Sequence, residues 1–299
     1  MYQECSLCPR QCHVNREEMV GVCHVGAQIL LARAALHMWE EPCISGKNGS
    51  GAVFFSGCSL GCVFCQNRAI SRGQTGKHVS PERLAEIFFE LKNQGADNIN
   101  LVTPDHYIPS VCEAIRKAKN DGIGLPFIYN CSGYETVESL RRLEGLVDVY
   151  LPDFKYWEAE TAGRYSKAPD YPQRVKEAVA EMMRQVGGCK FDACGMIQKG
   201  VIVRHLLLPG KVREAKQIVK YLYETYKDEI YLSLMNQYTP GEDAPERLRD
   251  YAEICRRVTP REYGRLIDYV LEIGVTNAFV QEGDTASESF IPEFDLEGV

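Results

Sequence analysis

Three cysteines, Cys58, Cys62 and Cys65, fall within the eight residues Cys-Ser-Leu-Gly-Cys-Val-Phe-Cys. This spacing lets one short loop aim all three sulfurs at a single small object. Structural zinc and ordinary iron–sulfur clusters take four protein ligands, so three thiolates are an incomplete set. The loop needs either a distant fourth residue, as in a zinc site, or an iron left open for another molecule. A second group, Cys5-x2-Cys8-x3-Cys12-x10-Cys23, is complete in number, with four thiols in the first 23 residues. Pro9 stiffens the turn after Cys8, and Gly21 and Gly26 flank the last thiol, as expected where backbone bends around a metal. Its spacing admits zinc or an iron–sulfur cluster alike.

The elements that must position these thiols alternate. Val53-Phe54-Phe55-Ser56-Gly57 reads as an apolar strand running into Cys58. Ile29 to Trp39 reads as a short strand or helix, and Gly46 to Gly51 as a flexible connection. Helical periodicity runs from Pro81 to Gln94, with Ser80 as N-cap, Pro81 in the first turn and Gly95 as stop. Strands are expected at Ile99–Val102, Phe127–Tyr129, Val147–Leu151, Val201–Leu208, Ile230–Met235 and Ala278–Val280. Helices are expected at Pro109–Asn120, Glu135–Leu143, Pro172–Arg184 and Val212–Tyr226, with two more between Ala244 and Ile273. Strands alternating with helices predict a parallel sheet with right-handed crossovers, either an open doubly wound sheet or a barrel. No linker interrupts residues 52–281, so the expected division is a Cys-rich extension over 1–50 and one α/β domain over 51–299.

The Cys-x3-Cys-x-aromatic-Cys loop after an apolar strand resembles the signature of the radical S-adenosylmethionine (SAM) superfamily. The wider stretch, Trp39-Glu40-Glu41-Pro42 through Gly49-Ser50-Gly51 to Cys65-Gln66-Asn67, is similar to uncharacterised iron–sulfur relatives of the pyruvate formate-lyase activating enzyme. The resemblance implies a partial (β/α)6 TIM-like barrel with an N-terminal Cys-rich extension. It also implies a 4Fe-4S cluster on Cys58, Cys62 and Cys65, whose fourth iron is chelated by the SAM amine and carboxylate, with Phe64 near the adenine.

In α/β folds the C-terminal strand ends carry the chemistry. Val102-Thr103-Pro104-Asp105-His106 departs from the Gly-Gly-Glu motif that binds the SAM amine in the activating enzymes, which leaves Thr103 and nearby carbonyls for that role. Asp105 and His106 either stand close by or start a helix. Asn130 occupies an aspartate position of the resembled pattern. Asp153 and Lys155 match an Asp-x-Lys segment that helps hold SAM and, in some members, a monovalent cation, a site that Asn130 puts in question. Only one of Arg204 and His205 can face a barrel interior, and Arg204 amid apolar neighbours needs a carboxylate partner, for which that of SAM would serve. Gln237, Tyr238, Gln281 and Glu282 end the last strands, either lining a substrate pocket or capping loops. Glu40 and Glu41 read as a solvated acidic pair and His37 as a packed histidine, although the resemblance raises Glu41 as a site residue. Cys112, Cys131, Cys189, Cys194 and Cys255 read as small hydrophobes, with Cys189 and Cys194 across a hairpin.

The function so implied is reductive cleavage of SAM to a 5′-deoxyadenosyl radical that abstracts hydrogen from a substrate, with a glycyl-radical enzyme as the candidate partner. No side chain is assigned a catalytic acid or base role. The alternatives are a radical SAM enzyme acting on a small metabolite or another macromolecule, and a noncatalytic zinc or iron–sulfur protein. Residues 66–79 contain no cysteine for the inserted cluster pair of some relatives, so electrons are expected from an external flavodoxin or ferredoxin, or through the N-terminal thiols. A net charge of -7 and a pI near 5.5 argue against a general grip on nucleic acid. The sequence shows no apolar run of membrane-spanning length and no signal peptide, so a cytoplasmic location is expected. The 13 cysteines then read as metal ligands or reduced thiols rather than disulfides.

Overall fold

Ten strands form one sheet in the computed structural model of the chain, which describes residues 1–241, 244–281 and 292–299. They are β1 Ile29–His37, β2 Ser50–Phe55, β3 Lys77–Val79, β4 Ile99–Val102, β5 Phe127–Cys131, β6 Val149–Pro152, β7 Lys190–Phe191, β8 Ile197–Leu206, β9 Tyr231–Met235 and β10 Ala278–Val280. The helices are α1 Pro42–Ser45, α2 Arg68–Ser71, α3 Pro81–Asn93, α4 Ile108–Asn120, α5 Val137–Arg141, α6 Ala159–Ser166, α7 Tyr171–Val186, α8 Val212–Tyr226, α9 Ala244–Arg247 and α10 Pro260–Glu272. No helix among the described residues is long and apolar enough to cross a membrane.

The parallel strands pair in chain order, β2-β4-β5-β6-β8-β9-β10. Right-handed crossovers between successive neighbours put the crossover helices on one face. A doubly wound sheet instead reverses direction and covers both faces, so this order is that of a barrel, left unclosed between the edge strands β10 and β3. The antiparallel strands β1 and β3 extend the β2 edge. β1 resolves the ambiguity at Ile29 to Trp39 in favour of a strand.

The two faces differ in filling. Outward residues such as Phe55, Leu101, Tyr129, Val203 and Leu234 join the helices in the large core. Inward, Ile128, Leu151 and Ile202 pack on Cys43 and Ile44 of α1, so the β1–β2 connection plugs the barrel and brings Glu40 and Glu41 inside. The last residues also return to the sheet. Ala32 and Ala34 of β1 exchange backbone hydrogen bonds with Leu296 and Glu297, Arg33 pairs with Asp295 and Glu297, and Phe294 stacks edge-on against Phe54.

Several elements follow from local chemistry. Ser80 caps α3 by accepting the Arg83 N–H, and Thr259 with Glu262 forms a capping box on α10. Thr136 caps α5, which delays its start relative to the expected Glu135. β3, α6 and the two one-turn helices α1 and α2 were not expected, being too short to show a period. The antiparallel β7–β8 hairpin holds Cys189 and Cys194 as expected.

Glu135 is left over from α5 and buried at 1% exposure. Cys131 donates to one carboxylate oxygen at 3.5 Å, and the other has no partner among the described residues. Burial, with Asp105 nearby, pushes its carboxyl well above the usual range. The unfolded carboxyl ionises at about 4.3, while the folded one keeps its proton to higher pH. The wild type therefore loses stability as pH rises above that value, and at lower pH both states are protonated. Glu135→Gln should raise stability at neutral pH by about 1–3 kcal/mol, the gain disappearing on acidification. Urea unfolding across pH checks this, and a gain independent of pH would contradict it.

Candidate active site

The three-thiol loop and the C-terminal strand ends open onto one cavity of about 660 Å³, within the range of small-molecule sites. Cys58, Cys62 and Cys65 line it, together with Phe64, Thr103, Asn130, Asp153, Lys155 and Arg204. Seven of the strand-end residues picked from the sequence, these last five with Gln237 and Gln281, are thus brought together.

The loop is shaped by its own backbone and by α6. Gly57 and Gly61 have φ of 92° and 64°, the left-handed region glycine enters without penalty. The Gly61 N–H lies 3.5 Å from the Cys58 sulfur, and the Ser166 hydroxyl donates to the Cys62 sulfur at 3.0 Å. Tyr156 shares a 2.6 Å hydrogen bond with Ser166. Phe64 sits edge-on to Tyr156, Tyr165 and Tyr238 at 6.1–6.2 Å, so it pins the loop as well as facing the cavity. Burial pushes the Cys58 and Cys65 thiols up, and a metal must displace their protons. Among the described residues no three Cys, His or carboxylate groups already stand at metal-ligand spacing, so the thiols have to rotate to close on one.

Arg204 is the hub of the opposite wall. Its Nε donates to Asp153 Oδ1 at 2.9 Å, Nη1 to Glu40 Oε2 at 3.1 Å and Nη2 to Asn130 Oδ1 at 2.6 Å. Lys155 Nζ pairs with Asp153 Oδ2 at 2.5 Å. Asn100 and Asn130 also donate to Glu40 Oε1, at 3.0 and 3.3 Å. Burial raises the Asp153 carboxyl, but Arg204 and Lys155 outweigh it and hold it below its usual value. Burial likewise opposes the charges of Lys155 and Arg204, and their carboxylate neighbours hold both above the usual range. Glu40 and Glu41 are raised by burial, which Arg204 offsets only in part. Glu41 Oε2 is buried with no hydrogen-bond partner among the described residues.

Several expectations are corrected here. Glu40 and Glu41 are not a solvated pair, because α1 carries them inside the barrel and both line the cavity. The carboxylate partner expected for Arg204 is, by contrast, present, supplied by Glu40 and Asp153 of its own chain. Its guanidinium lies between Asn130 and Asp153, where the resemblance placed a monovalent cation in some members. Asp105 and His106 do not line the cavity; they form a buried 3-10 turn in which Asp105 accepts from Ser59 at 2.6 Å. Of the last strand ends, Gln237 and Gln281 line the cavity. Tyr238 is buried, donating to Ile254 O, and Glu282 lies outside the described residues.

Thr103, a β-branched residue, has φ of 60°, which costs energy outside glycine. Its N–H donates to Asn130 O at 2.8 Å, and the bend turns the end of β4 along the cavity wall. Sequence reasoning missed Ser233 and Met235, which also line the cavity. The register pairing Arg204 with Ser233 would have found the first.

The radical SAM superfamily model matches residues 52–222, more than half of the chain. Uncharacterized protein MJ0674 of Methanocaldococcus jannaschii is 28% identical over 275 residues, covering 90% of this chain and 74% of that protein. Streptococcus suis SuiB bound to precursor peptide SuiA is similar with a TM-score of 0.50 and 11% identity, over 74% of this chain and 46% of that one. SuiB without the peptide gives 0.50 and 10%, over 78% and 48%. The chain thus spans about half the length of the SuiB chains it matches, and at these identities the likeness is one of fold. The family model carries the superfamily and not the narrower likeness to activating enzymes.

Removing the cavity's central cation leaves Glu40 and Asp153 facing each other in a buried site. Arg204→Met should therefore cost about 3–5 kcal/mol of stability, with part recovered by adding Glu40→Gln. Urea unfolding of the single and double variants measures both, and a loss below about 1 kcal/mol would show that Arg204 is a surface-like pair.

Proposed function

This chain belongs to the radical SAM superfamily, and from that premise we propose that it takes a hydrogen atom from a protein substrate, with a glycyl-radical enzyme as the partner that the stretch from Trp39 to Asn67 favours. Membership implies an enzyme with a 4Fe-4S cluster and SAM, and it sets aside the reading of the Cys58 loop as a zinc site. The observation that carries the proposal is the convergence of three thiols and the polar ends of the parallel strands on one cavity.

The residues fit such a group. Cys58, Cys62 and Cys65 would hold the cluster, and its chemistry with SAM is one-electron cleavage of a sulfur–carbon bond, which the cofactors supply. The Ser166 hydroxyl and the Gly61 N–H stabilise thiolate sulfur at Cys62 and Cys58. Lys155, held by Asp153, adds positive charge on the side of Cys62 and Cys65. Thr103, Asn130 and Asp153 offer hydrogen-bonding groups for the polar atoms of SAM, and Phe64 an aromatic edge for its base. Phe54, Leu206, Met235 and Phe279 give the cavity an apolar side, which keeps water from a reactive intermediate. The N-terminal thiols Cys5, Cys8, Cys12 and Cys23 are assigned to a second metal, zinc or iron–sulfur, and the electrons to a flavodoxin or ferredoxin.

Anaerobically reconstituted, reduced protein given SAM should release 5′-deoxyadenosine, and Cys62→Ala should reduce that release to background. Equal release from both would remove the catalytic reading. Mixing with candidate glycyl-radical enzymes should then produce the glycyl doublet in electron paramagnetic resonance. Release of 5′-deoxyadenosine with no doublet in any mixture would move the assignment to another substrate.

A further inference from the structure

The N-terminal thiols lie outside the range matched by the superfamily model, and the chain has placed a buried charge among them. Arg16 is 1% exposed. Its guanidinium donates to the carbonyls of Val25 at 3.3 Å, Gly26 at 2.5 Å and His106 at 2.5 Å. It lies over the rings of Tyr2 and Tyr107, 5.1 and 5.4 Å from their centres. No carboxylate pairs with it among the described residues. A buried cation held only by neutral groups is costly unless an anion stands close. The groups that stand close are thiols. Arg16 Nη1 is 3.9 Å from Cys5 Sγ, and a Cβ built on Gly21 would meet Cys23 Sγ at 3.3 Å, Cys12 Sγ at 3.5 Å and Arg16 Cδ at 3.5 Å. Three sulfurs and the arginine therefore gather around one bend.

The backbone there is strained. Gln11, His13 and His24, which adjoin Cys12 and Cys23, all have left-handed φ, of 39°, 53° and 66°. Non-glycine residues hold that conformation only where surrounding contacts enforce it, and such residues cluster at ligand sites.

From this module two contacts reach the Cys58 loop. The Cys58 N–H donates to Cys23 O at 3.2 Å, and Gly57 packs so closely on the same carbonyl that a Cβ would come within 2.8 Å. Arg10, between Cys8 and Cys12, then straps the loop to α6. It donates to the carbonyls of Ser59 at 2.9 Å, Leu60 at 3.2 Å, Ser166 at 2.7 Å and Lys167 at 2.5 Å.

We infer that Cys5, Cys8, Cys12 and Cys23 form a tetrathiolate metal centre whose net negative charge is the counter-ion of Arg16, and that this centre anchors the Cys58 loop in its ligand-ready position. Four neutral thiols leave Arg16 without an anion, whereas four thiolates on a divalent metal or an iron–sulfur cluster supply one. The inference rests on the assignment of a second metal above. It deepens that assignment by naming the charge partner and the mechanical task.

The test counts metals in the full-length chain with the loop ligands removed, as Cys58→Ala, Cys62→Ala, Cys65→Ala. Elemental analysis should find either zinc, or iron with a thiolate-to-iron absorption band, and adding Cys5→Ala and Cys23→Ala should abolish it. Neither metal in a triple variant whose circular dichroism matches the wild type would overturn the centre. On the triple background, Arg16→Met should speed metal loss to a chelator by about tenfold, with Arg16→Lys restoring part; unchanged loss would overturn the counter-ion role. In the otherwise wild-type chain, Arg10→Ala leaves every thiol in place and should lower iron uptake by the loop during anaerobic reconstitution. Undiminished uptake would overturn the anchoring. Release of 5′-deoxyadenosine by the wild type reports on the radical reading separately from these counts.

Discussion

The guanidinium of Arg204 is the point at which separate parts of the barrel agree on one geometry. It binds Asp153 after β6, Asn130 on β5 and Glu40 from the β1–β2 connection, while itself standing on β8. These groups come from distant stretches of sequence and meet only if the sheet curls. Asn130 is buried and the three charged groups are largely so, which makes each unfavourable alone and the arrangement stable only when complete. Such a cluster favours one wall geometry over looser alternatives. The strand-end residues facing the three thiols are held by this wall, and the apolar inner layer with α1 as plug packs beneath it.

Much of this is legible in the amino-acid sequence. The alternation of strands and helices is a local signal, read from apolar periodicity and from caps such as Ser80. The Cys58 loop was legible because its ligands are neighbours. Strand ends could be named as site residues because a parallel sheet puts them on one side. What was hidden depends on closure. Glu40 and Glu41 look like any exposed acidic pair until α1 is seen to enter the barrel, and the identity of the Arg204 partners is a matter of residues more than fifty positions away. Arg16 carried no signal of burial, since its partners are mostly carbonyls, which every sequence has. The choice between a doubly wound sheet and a barrel likewise lay in the order of strand pairing, which periodicity does not encode.

The two cysteine groups divide labour in a way that their ligand counts anticipate. The incomplete set faces the cavity, with Lys155 and Ser166 beside its sulfurs. The complete set is turned inward against Arg16 and reaches the cavity loop through the Cys23 carbonyl and the Arg10 side chain. On the assignments proposed above, chemistry sits where a ligand position is open, and mechanical support where none is needed. The Thr103 conformation belongs to the first region and the strained turns at His13 and His24 to the second, so strain accompanies both sets.

The return of the last residues to β1 makes the end of this chain part of a wall. Lys77 reaches the carbonyl of Val299 at 2.8 Å, a Cβ on Gly298 would clash with Ala34 O, and Pro292 borders the cavity itself. These residues cover the edge of the sheet beside the unclosed seam, next to the Phe54 ring that faces the cavity. A substitution at Phe294 or Gly298 would thus act as a change at the mouth of the site, although neither residue faces the three thiols.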